Sequence, residues 1–165
     1  MKIMSPSMFY TMVKNLHPPK PGRLLGLDVG KKLIGLAVSD LQYEFAAPCG
    51  VLERSQHNPH QMAQEMQKLI TDLSLTGFVV GHPLKRGMPD PTARVLDFVD
   101  DLDWTGMLNE VPYTLWDNSF ASKSAKELLY PICFGPDDGE RFKSQFAATD
   151  VLQAFLVAGM RCENN

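Results

Sequence analysis

The sequence predicts an α/β fold with a mixed sheet, and three observations support this. Two apolar runs flank Gly30 and Lys31, which is typical of an antiparallel β-hairpin. Short apolar runs at 78–80 and 113–116 suit buried parallel strands. Amphipathic segments with helical spacing, one after Asn58 and one from about Pro91, separate these strands. The order is hairpin, strand, helix, strand, helix, strand, helix, helix.

Composition limits the classes of function. The 165 residues suit one domain with a core, and the net charge of −3 gives no general attraction to nucleic acid, so such binding would need a local basic patch. No apolar run is long enough to span a membrane, which predicts a soluble protein. The chain has three cysteines, an odd number, and no CxxC pair: Cys49, Cys133 and Cys162. This pattern favours a reducing compartment and argues against structural zinc.

We divide the chain into a tail with a proline-rich linker at 1–22 and a domain at 23–162. Pro18, Pro19 and Pro21 mark the linker. Before it, four apolar residues have the spacing of a short docking helix: Met8, Met12, Val13 and Leu16. The tail is poor in arginine, which weakens a transit-peptide interpretation. We expect a cytoplasmic protein and leave a plastid or mitochondrion open.

The hairpin carries an unusual carboxylate, Asp28. Alternation places it with Leu24 and Gly26, on a face that should be largely apolar, so its charge needs a metal, a cation or strong hydrogen bonds. Gly26 and Gly35 would leave room there for another backbone or a ligand. The alternative is an ordinary hairpin with a half-exposed aspartate.

The later elements follow from local signals. Residues 45–52 suit an edge-like third strand, and Asn58 with Pro59 starts a helix. The strand at 78–80 opens into a loop with Lys85 and Arg86, and the strand at 113–116 ends in Asp117 and Asn118. Ala125, Leu128 and Leu129 indicate a third helix, 131–140 a turn-rich insertion, and about 142–160 the last helix.

The last helix contains a second carboxylate in an apolar setting. Asp150 lies within a predicted stripe formed by Phe146, Ala147, Ala154, Val157 and Ala158. A structural aspartate bonded to a neighbouring loop is the alternative. If the first strand is central and crossovers are right-handed, Asp28, Asp117 and Asp150 can converge. Such carboxylates suit Mg²⁺ or Mn²⁺, and paired ions serve metal-assisted phosphoryl transfer.

Four segments, in order, resemble the YqgF family, also called pre-16S rRNA nucleases or RuvX-like Holliday junction resolvases: LLGLDVGKKLIGLAVSD, FVVGHPL, LWDNSFASKSAKELL and TDVLQAFLVAG. The resemblance covers about 23–160. It implies a ribonuclease H-like fold with a five-stranded mixed sheet flanked by helices. It also implies a magnesium-dependent nuclease acting on structured RNA, namely rRNA precursor, or on branched DNA.

The family's aspartates in the first strand and last helix match Asp28 and Asp150. Its strand-end motif, commonly Asp-Glu-Arg-Leu-Thr-Thr, reads Asp117-Asn118-Ser119-Phe120-Ala121-Ser122 here. Asn118 can ligate a metal through its carbonyl but brings no charge, and Ser119 replaces a phosphate-pairing cation. The loop before the last helix, basic in the family, carries Asp137, Asp138 and Glu140 here. We therefore expect slow or absent catalysis if the family's glutamate is an essential ligand.

Four cations near the expected site are candidates for binding nucleic acid, with ordinary surface charge as the alternative: Lys31, Lys32, Lys85 and Arg86. His82 stands where the family usually has leucine, and we expect a packed residue rather than a general base.

The leading hypothesis is a metal-dependent nuclease for the 5′ end of rRNA precursor. Its alternatives are a catalytically impaired RNA-binding or ribosome-assembly factor, a Holliday junction resolvase, and, least favoured, an actin-like ATPase fragment, for which the chain is too short. A homodimer is left open.

Overall fold

The computed structural model describes residues 1–16, 22–84, 89–118 and 136–164. Within them, six strands form one sheet: β1 (Lys2–Ile3), β2 (Arg23–Val29), β3 (Leu33–Ser39), β4 (Ala46–Glu53), β5 (Leu75–Gly81) and β6 (Pro112–Trp116). The helices are α1 (Pro6–Lys14), α2 (Pro59–Leu73), α3 (Pro89–Trp104) and α4 (Pro136–Glu163), with a 3₁₀ turn at Arg54–Gln56. No helix in these described ranges is both long and apolar enough to cross a membrane.

The sheet has the strand order β1-β6-β5-β2-β3-β4. β2, β3 and β4 are antiparallel neighbours, whereas β5, β6 and β1 run parallel to β2. The predicted mixed sheet, with a hairpin and parallel strands, is therefore confirmed. The count of five strands is corrected to six, because β1 adds a two-residue pairing to the free edge of β6.

Residues 1–22, interpreted above as a tail and linker, contribute two elements to the domain. Lys2 N donates to Val111 O and Met4 N to Tyr113 O, both at 2.9 Å, which joins β1 to β6. Phe9 in α1 is fully buried, with its ring 5.8 Å edge-on from that of Phe155. The helix suggested by the apolar spacing is present, and it packs on the sheet and on α4.

Alternation along β2 separates two cores, as predicted. Leu25, Leu27 and Val29 face α2 and α3, and Leu24 faces α1 and α4. Because β2 is buried on both faces, it is the centre of the molecule. Asp28 shares the face of Leu24, and therefore lies on the α4 side.

The start of α2 was predicted correctly, whereas the start of α4 was not. Asn58 caps α2 in a reciprocal capping box with Gln61, as the Asn-Pro signal indicated. The last helix was predicted too short: α4 begins at Pro136, so 136–140 is helical and not a turn-rich insertion. A proline in the first helical turn is compatible with this start, because its missing N–H has no partner there anyway. The predicted helix around Ala125, Leu128 and Leu129 lies outside the described residues.

Candidate active site at the carboxyl ends of the central strands

Two glycines bring α4 directly onto the hairpin. A Cβ at Gly26 would lie 2.9 Å from the Ala148 carbonyl oxygen, and a Cβ at Gly35 would overlap the carbonyl of Ser144. Both glycines therefore admit the α4 backbone, which was one of the two expected uses of that space. The position of α4 over the sheet is set by contact between backbones, and this fixes where its polar side chains can point.

Asp28 is half-buried on β2 and pairs in register with Gly35 of β3. Lys31 and Lys32 follow in the hairpin loop and are exposed. The predicted tight hairpin is present, but its two-residue loop is Lys31-Lys32 and not Gly30-Lys31, because Val29 pairs with Ile34 and Gly30 N donates to Leu33 O at 2.9 Å.

Asp117 and Asn118 directly follow β6, at the carboxyl edge of the parallel strands. His82 N donates to Trp116 O at 2.8 Å, which continues the β5–β6 pairing up to Asp117. Leu84 N donates to Asp117 Oδ1 at 3.4 Å, so the loop after β5 contacts this carboxylate. The structure thus places both residues where open α/β sheets bind ligands.

The three segments that carry the acids meet around Gly81, the last residue of β5. A Cβ at Gly81 would lie 2.9 Å from Asn118 Nδ2, 2.9 Å from Val151 Cγ2 and 3.3 Å from Leu27 O. Leu27 precedes Asp28, and Val151 follows Asp150. Gly81 was not among the predicted site residues, although a glycine ending a buried strand is a signal of close approach.

Asp150 lies at the flank of the buried face of α4, which corrects the predicted stripe. The buried residues of the helix are Ala147, Ala148, Val151, Leu152, Phe155, Leu156 and Gly159. Ala154, predicted to be in the stripe, is exposed, and Asp150 is half-buried. The buried face of α4 is thus rotated by about one residue from the predicted face, and Asp150 lies at the edge of the buried face.

A cavity of about 560 Å³ brings part of the predicted site together. Asp117, Asn118 and Asp150 line it, with Trp116, Ala158 and Arg161 among the others. Asp28 is not part of this lining. Among the described residues, no group of three or more His, Cys, Asp or Glu side chains is placed to hold one metal ion. Lys85 and Arg86 lie outside the described residues.

The oxygen donors of the cavity match the preference of hard divalent cations. Carboxylate and amide oxygens are typical ligands of Mg²⁺, and Asp117, Asp150 and Asn118 supply both kinds. Asn118 Oδ1 is buried and accepts no hydrogen bond within the described part of the chain. A buried acceptor normally has a partner, and a bound metal ion or donor could supply the partner that this oxygen lacks.

His82 is half-buried beside Asp117. Burial lowers the pKa of its imidazole, and the charge of Asp117 opposes that shift in part. The half-buried position of His82 agrees with the expected packed residue.

Arg161, a further residue of this cavity, was not predicted from the sequence. It lies eleven residues beyond Asp150 on α4, is exposed, and makes no ion pair with the described residues. Extending the helical spacing from Asp150 through Val157 to Arg161 would have found it.

Comparison with known proteins gives consistent results. A family model described as "RuvX: Holliday junction resolvase" matches residues 22–158. A Chloroflexus aggregans protein named "Putative pre-16S rRNA nuclease" is 33% identical over 137 residues, covering 82% of this chain and 93% of its own length. A Roseiflexus protein of the same name is 31% identical over 140 residues, covering 83% and 95%.

Among solved structures, Thermus thermophilus RuvC in complex with a Holliday junction substrate superposes with a TM-score of 0.52. The match covers 83% of this chain and 95% of that one at 13% identity. At this identity the likeness shows a shared fold, the ribonuclease H-like architecture expected from the sequence.

Proposed function

Because this chain belongs to the RuvX family, we propose that it is a nuclease that hydrolyses phosphodiester bonds in structured nucleic acid, with the 5′ region of rRNA precursor as its substrate. The names of its relatives support the RNA substrate. The observation that carries the proposal is the junction around Gly81, where the ends of β2 and β6 meet α4. Asp28, Asp117 and Asp150 flank that junction.

Asp117, Asp150 and the amide oxygen of Asn118 would hold Mg²⁺ or Mn²⁺, and Asp28 would complete the carboxylate set from the neighbouring strand. Bound ions supply charge stabilisation to the attacking and leaving oxygens of the phosphodiester. Leu84 N and the backbone bond from His82 to Trp116 orient Asp117. Lys31 and Lys32 in the exposed hairpin loop would contact phosphates of the substrate, and Lys85 and Arg86 are proposed for the same role from the sequence.

The test compares purified variants on labelled precursor rRNA and on a four-way DNA junction, each with Mg²⁺, with Mn²⁺ and with EDTA. Asp28→Asn and Asp150→Asn should each reduce metal-dependent cleavage at least about 100-fold, the usual loss when a group stabilising transition-state charge is removed. The control variant is Asp97→Asn, which makes the same change at an exposed position of α3 and should cleave like the wild type. Full activity in both site variants would place catalysis elsewhere, and cleavage of the junction alone would identify a resolvase.

A second candidate is favoured by one observation: Asn118 supplies no charge where the family commonly has glutamate. The chain would then be an RNA-binding or ribosome-assembly factor that retains the fold. This candidate expects RNA binding without cleavage in either metal, and a gain of cleavage in Asn118→Glu. Cleavage by the wild type at a rate that Asn118→Glu does not raise would reject it.

A further inference from the structure

A second cavity, of about 450 Å³, adjoins the candidate site. It lies between α1 and α4, and its lining includes Tyr10, Lys14, Trp116, Phe155 and Ala158. Trp116 and Ala158 also line the cavity that contains Asp117 and Asp150. Because both linings include Trp116 and Ala158, the two cavities adjoin along α4, and the second lies on the α1 side of these residues. We call the two cavities together the α4 groove.

The groove has aromatic walls. The ring of Trp116 lies 5.6 Å edge-on from Phe155, and Phe155 contacts Tyr10 at 6.0 Å. Burial and the nearby Glu163 raise the pKa of Tyr10 to about 12, so its hydroxyl is neutral at physiological pH. Tyr10 and Phe155 are buried behind this wall, so the half-buried Trp116 is the ring that could meet a nucleobase, and such contact tolerates any sequence.

The charges of the groove are distributed unequally. Lys14 Nζ lies 3.8 Å from Glu163 Oε2 and 5.7 Å from the centre of the Tyr10 ring, so a neighbouring carboxylate offsets its charge. Arg161 makes no such pair with the described residues and is exposed at the groove wall. It therefore offers its guanidinium to an external anion, and this group binds phosphate through two parallel hydrogen bonds.

The distance along the helix suits a polymeric substrate. Arg161 is eleven residues from Asp150, or about 16 Å along α4. A group so far from the carboxylates would contact the flanking strand and not the scissile phosphate.

We propose that the α4 groove binds a single strand of the nucleic acid that flanks the cleaved bond, with Arg161 on a phosphate and Trp116 beside a base. This rests on the proposed function and adds a binding path to it. Arg161 and α1 both lie outside the part of the chain that the family model matches, 22–158. Trp116, Phe155 and Ala158 lie within the matched part, so the path joins the matched domain to elements outside it.

The test measures binding without cleavage. In a Trp104→Phe background, Trp116 is the only tryptophan, so its fluorescence reports directly on the groove. A twelve-nucleotide single-stranded RNA, titrated in EDTA at several salt concentrations, should quench this emission. Arg161→Glu should weaken binding about tenfold and lower the salt slope by about 0.7, the value for one phosphate contact on a single strand.

Lys68→Glu is the matched control, because it makes the same charge change at an exposed position of α2, on the opposite face of the sheet. It should alter binding less than twofold. Equal losses of affinity in both variants would mean that only the net charge of the protein matters. RNA binding without any change in Trp116 fluorescence would show that the strand does not follow the groove. Either result overturns the proposal. Metal-dependent cleavage by Arg161→Glu at the wild-type rate and KM would also overturn it, while leaving the nuclease proposal intact.

Discussion

The contact of Gly35 with the backbone of α4 makes this position intolerant of any side chain. We expect Gly35→Ala to lower the free energy of unfolding by about 2 kcal/mol or more, because a Cβ would overlap the Ser144 carbonyl and a backbone cannot rotate away as a side chain can. Urea unfolding followed by circular dichroism measures the change.

Gly139 provides the matched control. It lies in the same helix that Gly35 supports, and a Cβ there meets nothing within 4 Å. Gly139→Ala should therefore be neutral, or stabilise by up to about 1 kcal/mol through helix propensity. Equal stability of the two alanine variants would mean that α4 can shift on the sheet, and the position of Asp150 would then not be fixed by the hairpin.

At the scale of elements, α1 should be an integral part of the domain. Phe9→Ala should cost about 3–5 kcal/mol, because its fully buried ring packs against Phe155 and over Gly77. The neighbouring Met8 is 62% exposed, so Met8→Ala should change the unfolding free energy by less than about 0.5 kcal/mol. A negligible effect of Phe9→Ala in urea unfolding would show that α1 is a detachable tail.

The elements also show what the sequence can and cannot predict. Asp28 was placed on the correct face because period-two alternation follows from strand geometry alone. The start of α2 was found because Asn58 and Pro59 act locally. By contrast, β1 has only two residues, and its pairing with β6 is a contact far along the chain that no local pattern encodes.

The face of α4 was misjudged for a related reason. An alanine-rich helix offers several apolar stripes of similar quality, and the one that is buried is chosen by Gly26 and Gly35 on the sheet. Asp150 was therefore identified as unusual, but its position at the flank depends on partners far away in the chain. Topology predicted the convergence of Asp28, Asp117 and Asp150; Asp117 and Asp150 line one cavity without Asp28, and Arg161 and Gly81 were not considered.

For the whole molecule, we expect one cooperative unfolding transition, since both cores are built on the same strand, β2. Two variants report on separate layers: Trp116→Phe leaves Trp104 on α3, and Trp104→Phe leaves Trp116 beside α1 and α4. Their fluorescence midpoints in urea should coincide with each variant's own circular dichroism midpoint. Separate midpoints within either variant would show that the two layers unfold independently.

The short strand β1 has a practical consequence for work with this protein. Backbone bonds from Lys2 N to Val111 O and from Met4 N to Tyr113 O hold the outer edge of β6, the strand that Asp117 follows. A preparation clipped by a protease before Ser5 would retain every carboxylate and still lose that lateral support. Intact mass should therefore be verified for each batch before a weak specific activity is attributed to the chemistry of the protein.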